Sequence, residues 1–334
     1  MSHEPLVIAH RGASGHRPEH GLDAYRLAVE LGADAIEPDI VATRDGVLVL
    51  RHENEISGTT DVGRRSEFLR LKTTKEVDGA VQTGWFTEDF TWAELSTLRV
   101  RERLPELRPA SAAHDGEGGI LRLSDLLSLL DGDEARARGV GLVAEVKHAT
   151  YFDSIGLPLG ELVAAELAAA GWTDDPRLTF ESFERTVLDD LRTRGAGGSY
   201  VYLLDAEGAA YDLVSRDGSA ASTYASQLTA AGLDGLASGL DGISVPKKML
   251  LGPTGEADPA LVGLAHARGL AIYTWTLRPE NAFLAKSNRS GGARAEHGDW
   301  RTEFSEIAST GVDGLFADFP ELAREALRTE VSVD

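Results

Sequence analysis

The sequence contains no cysteine among its 334 residues, and its basic side chains are outnumbered. Without cysteine, neither a disulfide framework nor a thiolate metal site can form, and the redox compartment is left open. Lys and Arg number 33 against 54 for Asp and Glu, which gives a formal net charge of −21. Such a charge repels nucleic-acid phosphates and anionic membrane surfaces. We therefore expect no nucleic-acid partner.

Long apolar runs are also absent. No stretch approaches the roughly 18–20 apolar residues that a membrane-spanning helix needs, so we expect no integral membrane association. Residues 1–5 lack the basic and apolar parts of a signal peptide. These features favour a cytoplasmic protein, whereas a periplasmic or secreted location follows if a signal peptide has been removed. The sequence leaves the oligomeric state open.

What the sequence does contain is a regular alternation of short apolar runs with longer amphipathic stretches, which is typical of parallel strands covered by helices. Nine candidate strands can be placed, and they are Leu6–His10, Ala35–Ile40, Val47–His52, Leu142–Lys147, Leu178–Phe183, Tyr200–Leu204, Gly242–Val245, Ala271–Leu277 and Gly314–Phe319. The turn at 43–46 is too short for a parallel crossover, and its Asp-Gly pair favours a hairpin. Val47–His52 is then an antiparallel partner at the rim. Eight strands remain, which predicts a TIM (β/α)8 barrel.

Helices follow most of these strands, the clearest being Leu22–Leu31, Leu159–Ala170, Phe183–Arg194, Ala260–Arg268 and Glu321–Arg328. We interpret residues 1–334 as one barrel domain. Residues 54–140 are too many for a bare loop, and we predict a small inserted subdomain there, after the second barrel strand and its hairpin partner. It is expected to cover the C-terminal mouth of the barrel as a lid or substrate-selecting wall. Residues 205–239 and 286–300 are predicted to be longer loops.

Three carboxylates stand at the ends of apolar strands. Glu37 and Asp39 are two residues apart, so both point to the same side of a strand, and at its C-terminal end that side is the barrel mouth. Glu145 lies among apolar residues of the third barrel strand, where a buried carboxylate is costly without a cation. Carboxylate oxygens suit hard divalent ions. We predict that the three side chains hold one Ca²⁺ or Mg²⁺.

The neighbouring polar groups match the needs of phosphodiester hydrolysis, which are cations on the phosphate oxygens, a base for the nucleophile and an acid for the leaving alkoxide. Arg11 offers a planar fork to the phosphate, and Lys147 shares a strand face with Glu145. His10 and His52 arrive from different strands and are the candidate acid and base, because imidazole changes charge near neutral pH. The sequence does not decide which is which.

Three further side chains are candidates at the mouth. Trp275 and Phe183 are assigned either to a wall that contacts the substrate or to core packing. Glu181 is assigned either to the metal or to a protonated hydrogen-bond donor beside acidic neighbours. The remaining histidines are expected on surfaces or loops, with His148 packed against helices, and they are His3, His16, His20, His114, His148, His266 and His297.

The candidates lie in motifs that run along nearly the whole chain. These are HRGASG at 10–15, PE at 18–19, GADAIEPD at 32–39, TRDG at 43–46, HE at 52–53, EVK at 145–147, SF at 182–183, WT at 275–276 and GVDGLFADFP at 311–320. Together they resemble the glycerophosphodiester phosphodiesterase family. The segments TTDV at 59–62 and GWFT at 84–87 look most like its longer bacterial members with an inserted subdomain, many of which are periplasmic. The resemblance implies a TIM barrel and the same roles for the carboxylates, histidines and cations named above. The implied products, in lipid and glycerol metabolism, are sn-glycerol 3-phosphate and an alcohol such as choline, ethanolamine or glycerol.

Three positions depart from the family pattern. His20-Gly21 replace the usual Asn-Thr, which changes the N-cap of the first helix, Glu181 replaces Gln, and Ala317 replaces Thr near the site. Two other functions are alternatives for such a barrel. A phospholipase D-like enzyme acting on lysophospholipids or sphingolipids would need an apolar channel, and a non-catalytic TIM-barrel binding protein would lack a catalytic group.

Overall fold

The computed structural model describes residues 4–330, so His3 and most of the segment 1–5 lie outside the described residues. Twelve strands occur in the described part: β1 (Leu6–His10), β2 (Ala35–Glu37), β3 (Asp39–Ala42), β4 (Leu48–Leu50), β5 (Thr73–Val77), β6 (Ala80–Gly84), β7 (Gly141–Val146), β8 (Leu178–Ser182), β9 (Ser199–Leu203), β10 (Gly242–Pro246), β11 (Ala271–Leu277) and β12 (Gly314–Ala317). Parallel pairing runs β1-β2-β7-β8-β9-β10-β11-β12 and returns to β1. The predicted TIM barrel is confirmed.

Helices cover the outside of this barrel. Those in residues 4–330 are α1 (Leu22–Glu30), α2 (Trp92–Leu95), α3 (Pro109–Ala112), α4 (Leu123–Leu130), α5 (Asp133–Ala137), α6 (Ala149–Ser154), α7 (Leu159–Ala170), α8 (Arg185–Thr193), α9 (Tyr211–Asp217), α10 (Tyr224–Gln227), α11 (Ala230–Ala237), α12 (Ala260–His266), α13 (Trp300–Ser309) and α14 (Pro320–Glu330). Among them there is none whose length and apolar content would carry it across a bilayer. Residues 205–239, predicted as a loop, contain α9, α10 and α11.

The predicted strand Ala35–Ile40 is wrong in one respect, because Pro38 divides it into β2 and β3. Proline has no N–H to donate to a sheet. The first part, β2, closes the barrel between β1 and β7. The second part, β3, continues beside β7 and turns back through β4 in antiparallel register, with Ile40 opposite Leu50. The predicted rim hairpin is therefore confirmed.

The segment 54–140 holds the antiparallel hairpin β5–β6, several short 3₁₀ turns and the helices α2 to α5. Its helix α4 packs against α1 and α7. This helix therefore fills the place of the second barrel helix, which the sequence had not located. The division of the chain into a barrel and an inserted subdomain stays a prediction.

The barrel interior changes from apolar to polar along four of the strands. A small core cluster contains Ile8, Ala35, Val143 and Phe316, one from each of β1, β2, β7 and β12. Because side chains alternate along a strand, the residue two positions further on points the same way. Those residues are His10, Glu37, Glu145 and Asp318, and each is no more than 9% exposed. The fold thus places a buried polar layer directly above an apolar plug, at the C-terminal mouth.

Candidate active site

A cavity of about 580 Å³ opens at this mouth. It is lined by most of the side chains that the sequence singled out: His10, Arg11, Glu37, His52, Glu145, Lys147, Glu181, Phe183 and Trp275. Asp39 is fully buried beside them. The structure therefore brings together residues from six separate stretches of the chain, as the order of strands around a barrel requires.

The three predicted metal ligands form a compact group. Glu37, Asp39 and Glu145 each offer an oxygen, and these oxygens lie within 4.8 Å of one another. Asp39 and Glu145 are paired across β3 and β7, which fixes their separation. Glu37 Oε2 accepts a hydrogen bond of 2.8 Å from the backbone N–H of Arg11. This carboxylate is thereby held toward the other two.

Burial and mutual repulsion make the charged forms of two of these carboxylates costly. Burial raises the pKa of Glu37 well above its usual value, and the charges of Asp39 and Glu145 add to that effect. Burial likewise raises the pKa of Glu145 to about 8, against the opposing charge of Lys147. Asp39 Oδ1 is buried and accepts no hydrogen bond, although Lys147 Nζ lies 3.5 Å away. The three oxygens fit a hard divalent ion.

His10 is oriented by a carboxylate from the last barrel strand. Asp318 Oδ1 lies 2.6 Å from His10 Nδ1, which leaves Nε2 as the ring nitrogen outside this contact. Burial alone would raise the pKa of Asp318, but Arg278 and Arg108 beside it hold that pKa well below its usual value. Burial, with the charge of Arg11, lowers the pKa of His10 to about 4. The imidazole is neutral at neutral pH before substrate arrives.

His52 also pairs with a carboxylate through its Nδ1 atom. Its Nδ1 lies 2.5 Å from Glu53 Oε1, and Arg103 contacts both Glu53 (2.6 Å) and Glu19 (2.7 Å). Burial lowers the pKa of His52 to about 3, and Arg11 adds to this shift. Each histidine thus carries a carboxylate on Nδ1, which is the arrangement that fixes a tautomer and ring orientation.

The two predicted phosphate-binding cations are buried and partnered. Arg11 Nη1 lies 3.2 Å from Glu19 and Arg11 Nε lies 3.2 Å from Asp39. Lys147 Nζ donates a 2.8 Å hydrogen bond to Glu145. Burial would lower the pKa of Lys147, but Glu145 and Asp39 raise it above its usual value. Both side chains therefore keep their positive charge at the cavity wall.

His20, expected on a surface or loop, lies in the loop between β1 and α1 but not on the surface. Its side chain is fully buried, with Nε2 3.0 Å from Asp39 Oδ2 and Nδ1 2.7 Å from the hydroxyl of Tyr25. His20 is one of the departures from the family pattern, and that departure was interpreted as a change in the N-cap of the first helix. The backbone φ of His20 is positive, at 59°, which residue spacing alone does not reveal.

His148, expected to pack against helices, pairs through Nδ1 with Asp78 at 2.5 Å. It lines a second cavity together with residues of α9 and α10. Asp318 and Glu19 lie in the motifs at 311–320 and 18–19, but the sequence analysis assigned no function to either residue. A signal for Asp318 was available, because an acidic residue directly follows an apolar strand there, as at Glu37 and Glu145.

Glu181, Trp275 and Phe183 also line the cavity. The oxygens that group around a possible ion do not include Glu181. Burial, together with the charge of Glu145, raises the pKa of Glu181 well above its usual value, which agrees with a protonated donor. Trp275 packs on the interior apolar cluster and also lines the cavity. Phe183 meets Trp275 edge-on at 5.8 Å between ring centroids. Substrate contacts by the two rings stay predictions.

The segment 54–140 supports the site from outside. Arg108 reaches Asp318 and Glu280 at 2.6 Å each, and Arg103 links Glu19 to Glu53. Among the described residues that line the main cavity, none comes from this segment. The outer wall is built instead from other loops, including Lys247, Lys248, Arg278 and Phe283. The segment therefore contacts the partners of both cavity histidines, Glu53 and Asp318, and its predicted role as a lid or substrate-selecting wall stays a prediction.

Comparison with known proteins gives one consistent answer. The model of the glycerophosphoryl diester phosphodiesterase family matches residues 10–322. A glycerophosphodiester phosphodiesterase of Arabidopsis thaliana is 31% identical over 338 residues, covering 94% of this chain and 84% of the relative. One from Haemophilus influenzae is 36% identical over 206 residues, covering 58% of this chain and 53% of the relative.

Solved structures share the fold. A phosphodiesterase of Oleispira antarctica, in complex with its product sn-glycerol 3-phosphate, matches with a TM-score of 0.62 and 20% identity over 97% of each chain. A glycerophosphodiester phosphodiesterase of Agrobacterium tumefaciens matches with a TM-score of 0.58 and 18% identity, covering 96% of this chain and 99% of that one. At such low identity these two matches show the architecture alone.

Proposed function

Because the chain belongs to the glycerophosphoryl diester phosphodiesterase family, we propose that this enzyme hydrolyses glycerophosphodiesters to sn-glycerol 3-phosphate and a free alcohol, with one divalent cation and a pair of histidines. The observation that carries the proposal is the grouping of Glu37, Asp39 and Glu145 beside two oriented imidazoles in one cavity. Each requirement of phosphodiester hydrolysis has a named side chain there.

The metal would be held by the three carboxylates. Two of them have a pKa raised by burial and by their neighbours' charges, so a bound cation would offset a cost that the folded chain otherwise bears. Oxygen-only ligands favour Ca²⁺ or Mg²⁺ over softer metals. When bound, such an ion supplies positive charge to the phosphate oxygens and orients the phosphate.

Arg11 and Lys147 complete the phosphate site. Both line the cavity and both keep their charge, because carboxylates contact each of them. Those carboxylates also fix where the guanidinium and the ammonium point. A phosphodiester that enters the cavity therefore meets preorganised cations, which stabilise charge developing on its non-bridging oxygens.

The proton transfers are assigned to His10 and His52. One neutral imidazole accepts the proton of the attacking water as the new P–O bond forms. The other, protonated, gives its proton to the alkoxide as the bond from phosphorus to the leaving oxygen breaks. An anionic phosphate between them raises the pKa of each ring from its low value in the free protein, which allows one ring to be charged in the complex. Asp318 and Glu53 hold the rings.

The alternatives are less well supported. A non-catalytic binding barrel would lack a catalytic group, yet every group that the sequence proposed, apart from the buried Asp39, lines the cavity. A lysophospholipid substrate would need an apolar channel, whereas this cavity carries at least seven ionisable side chains: His10, Arg11, Glu37, His52, Glu145, Lys147 and Arg278. Small, water-soluble diesters suit it better.

The experiment is ³¹P NMR of glycerophosphocholine incubated with the enzyme and either Ca²⁺ or Mg²⁺. We expect the diester resonance to be replaced by that of sn-glycerol 3-phosphate, with choline released in equal amount. Formation of phosphocholine would show that the other P–O bond breaks and would contradict the proposed products. An unchanged diester, with conversion of lysophosphatidylcholine under the same conditions, would favour the lysophospholipid alternative.

A further inference from the structure

A second cavity of about 340 Å³ adjoins the catalytic one. Glu145, Lys147 and Phe183 line both cavities, so the two share a wall. Lys147 is one of the residues proposed to contact the phosphate. A group attached to a phosphate at Lys147 would therefore lie next to the second cavity.

Aromatic rings form one side of the second cavity. Phe183 stands at the boundary, with its ring centroid 5.8 Å from Trp275 on the catalytic side and 6.3 Å from Tyr224 on the other. Tyr224 and Tyr211 both line the second cavity. The faces of aromatic rings attract cations, and clusters of such rings are a known means of binding quaternary ammonium groups.

Carboxylates supply the remaining wall. Glu184 is 3% exposed, and its Oε2 accepts hydrogen bonds from the backbone N–H and the hydroxyl of Thr150. Asp78 comes from the turn of the hairpin β5–β6, has a positive φ of 49°, and lines the cavity. Its Oδ2 pairs with His148, while its Oδ1 is buried without a hydrogen-bond partner.

The charges do not cancel within this cavity. Lys147 is offset by Glu145 at 2.8 Å and by Asp39 at 3.5 Å, and His148 faces Asp78. Glu184 has no cationic partner among its described hydrogen bonds. Burial raises the pKa of Glu184 to about 7, and the charge of Asp78 adds to that shift. A ligand cation at this place would relieve the repulsion between the carboxylates.

We propose that the second cavity binds the cationic amine of the leaving alcohol, a quaternary or primary ammonium, between the rings of Tyr211 and Tyr224 and the carboxylates of Glu184 and Asp78. The assignment rests on the proposed function, since the ammonium and the phosphate belong to the same substrate. It gives the segment 54–140 a share in substrate selection, because the hairpin tip carries Asp78. Diesters with a cationic head group are then preferred to neutral ones.

The kinetic test compares glycerophosphocholine with glycerophosphoglycerol, whose head group is neutral. In Glu184→Gln we expect KM for the cationic substrate to rise about tenfold, a typical effect of removing one charge that contacts a bound cation. The kcat for both substrates and KM for the neutral one should stay within twofold. Glu207→Gln, an exposed acid in the neighbouring loop, is the matched control and should change nothing. Equal effects on the two substrates, or none, would overturn the proposal.

A binding measurement keeps the inference separate from activity. Tetramethylammonium chloride, titrated into the protein and followed calorimetrically, should bind to wild type and at least fivefold more weakly to Asp78→Asn and Tyr211→Leu. Equal heats from all three proteins would contradict the subsite. If wild type hydrolyses neither diester, the proposed function fails, whereas hydrolysis of both without preference refutes only the head-group site.

Discussion

The Nε2 atom of His20 lies 3.0 Å from Asp39 Oδ2, and its Nδ1 atom forms a hydrogen bond with the hydroxyl of Tyr25. All three side chains are fully buried. The imidazole therefore fixes the orientation of one carboxylate of the proposed metal site from behind. Partners of this kind act on metal affinity without touching the ion.

Replacing His20 tests that relationship. We expect His20→Ala to weaken Ca²⁺ or Mg²⁺ binding by about 10–100-fold, the range usual for loss of a residue that orients a ligand. His20→Asn retains a side-chain N–H and should lose less. Isothermal titration of metal-stripped protein measures both, with circular dichroism as the folding control. Unchanged affinity in His20→Ala would show that Asp39 does not depend on this contact.

Each of the two proposed proton-transfer residues should be essential. We expect His10→Ala and His52→Ala to lower kcat by roughly 10²–10⁴-fold, because general acid and base catalysis contribute on that scale. His114→Ala, a partly exposed histidine paired with Glu117, is the control and should keep wild-type turnover. Near-normal turnover in either cavity variant, measured by release of sn-glycerol 3-phosphate, would remove that residue from the mechanism.

Asp318 is expected to act through His10. Its charge opposes the lowering of the His10 pKa, so Asp318→Asn should lower that pKa further and move the corresponding limb of the pH–rate profile to lower pH. We expect kcat to fall by at least about tenfold as the charged imidazole loses its partner. Metal affinity should be unchanged, since Asp318 lies outside the carboxylate group. A pH profile that falls uniformly, without a shift, would indicate a structural role alone.

The buried Glu184 predicts a pH dependence of stability. Its folded pKa is raised to about 7 by burial, above an unfolded value near 4.5, so the folded state binds more protons and loses stability as pH rises between the two values. The full effect above pH 7 is about 3 kcal/mol. Glu184→Gln cannot titrate, so its advantage in Tm over wild type should widen from about pH 4.5 to 7 and then stay constant. Parallel Tm curves would contradict this.

Much of the site was predictable because its residues follow apolar strands. Glu37 and Glu145 are each the polar end of a strand whose earlier residues fill the barrel, a pattern that is local in sequence. The barrel's order then brings such ends together without further information. The chemistry of the side chains indicated their roles, and the resemblance to a family implied the same ones.

The remainder depends on contacts that are distant in sequence. His20 contacts Asp39 from a backbone conformation of positive φ, and Asp78 contacts His148 from the turn of the hairpin β5–β6. No periodic pattern encodes either contact. The apolar residues on both sides of Pro38 predicted one continuous strand. Proline cannot donate a hydrogen bond to a neighbouring strand, and the strand is divided there.

The central claim is that one divalent ion, held by Glu37, Asp39 and Glu145, is required for hydrolysis. The most direct measurement titrates Ca²⁺ or Mg²⁺ into EDTA-stripped protein while release of sn-glycerol 3-phosphate from glycerophosphocholine is followed in the same samples. We expect one ion bound per chain, activity that rises in step with occupancy, and at least tenfold weaker binding in Glu37→Gln. Full turnover by metal-free protein, or wild-type metal affinity in Glu37→Gln, would contradict the account.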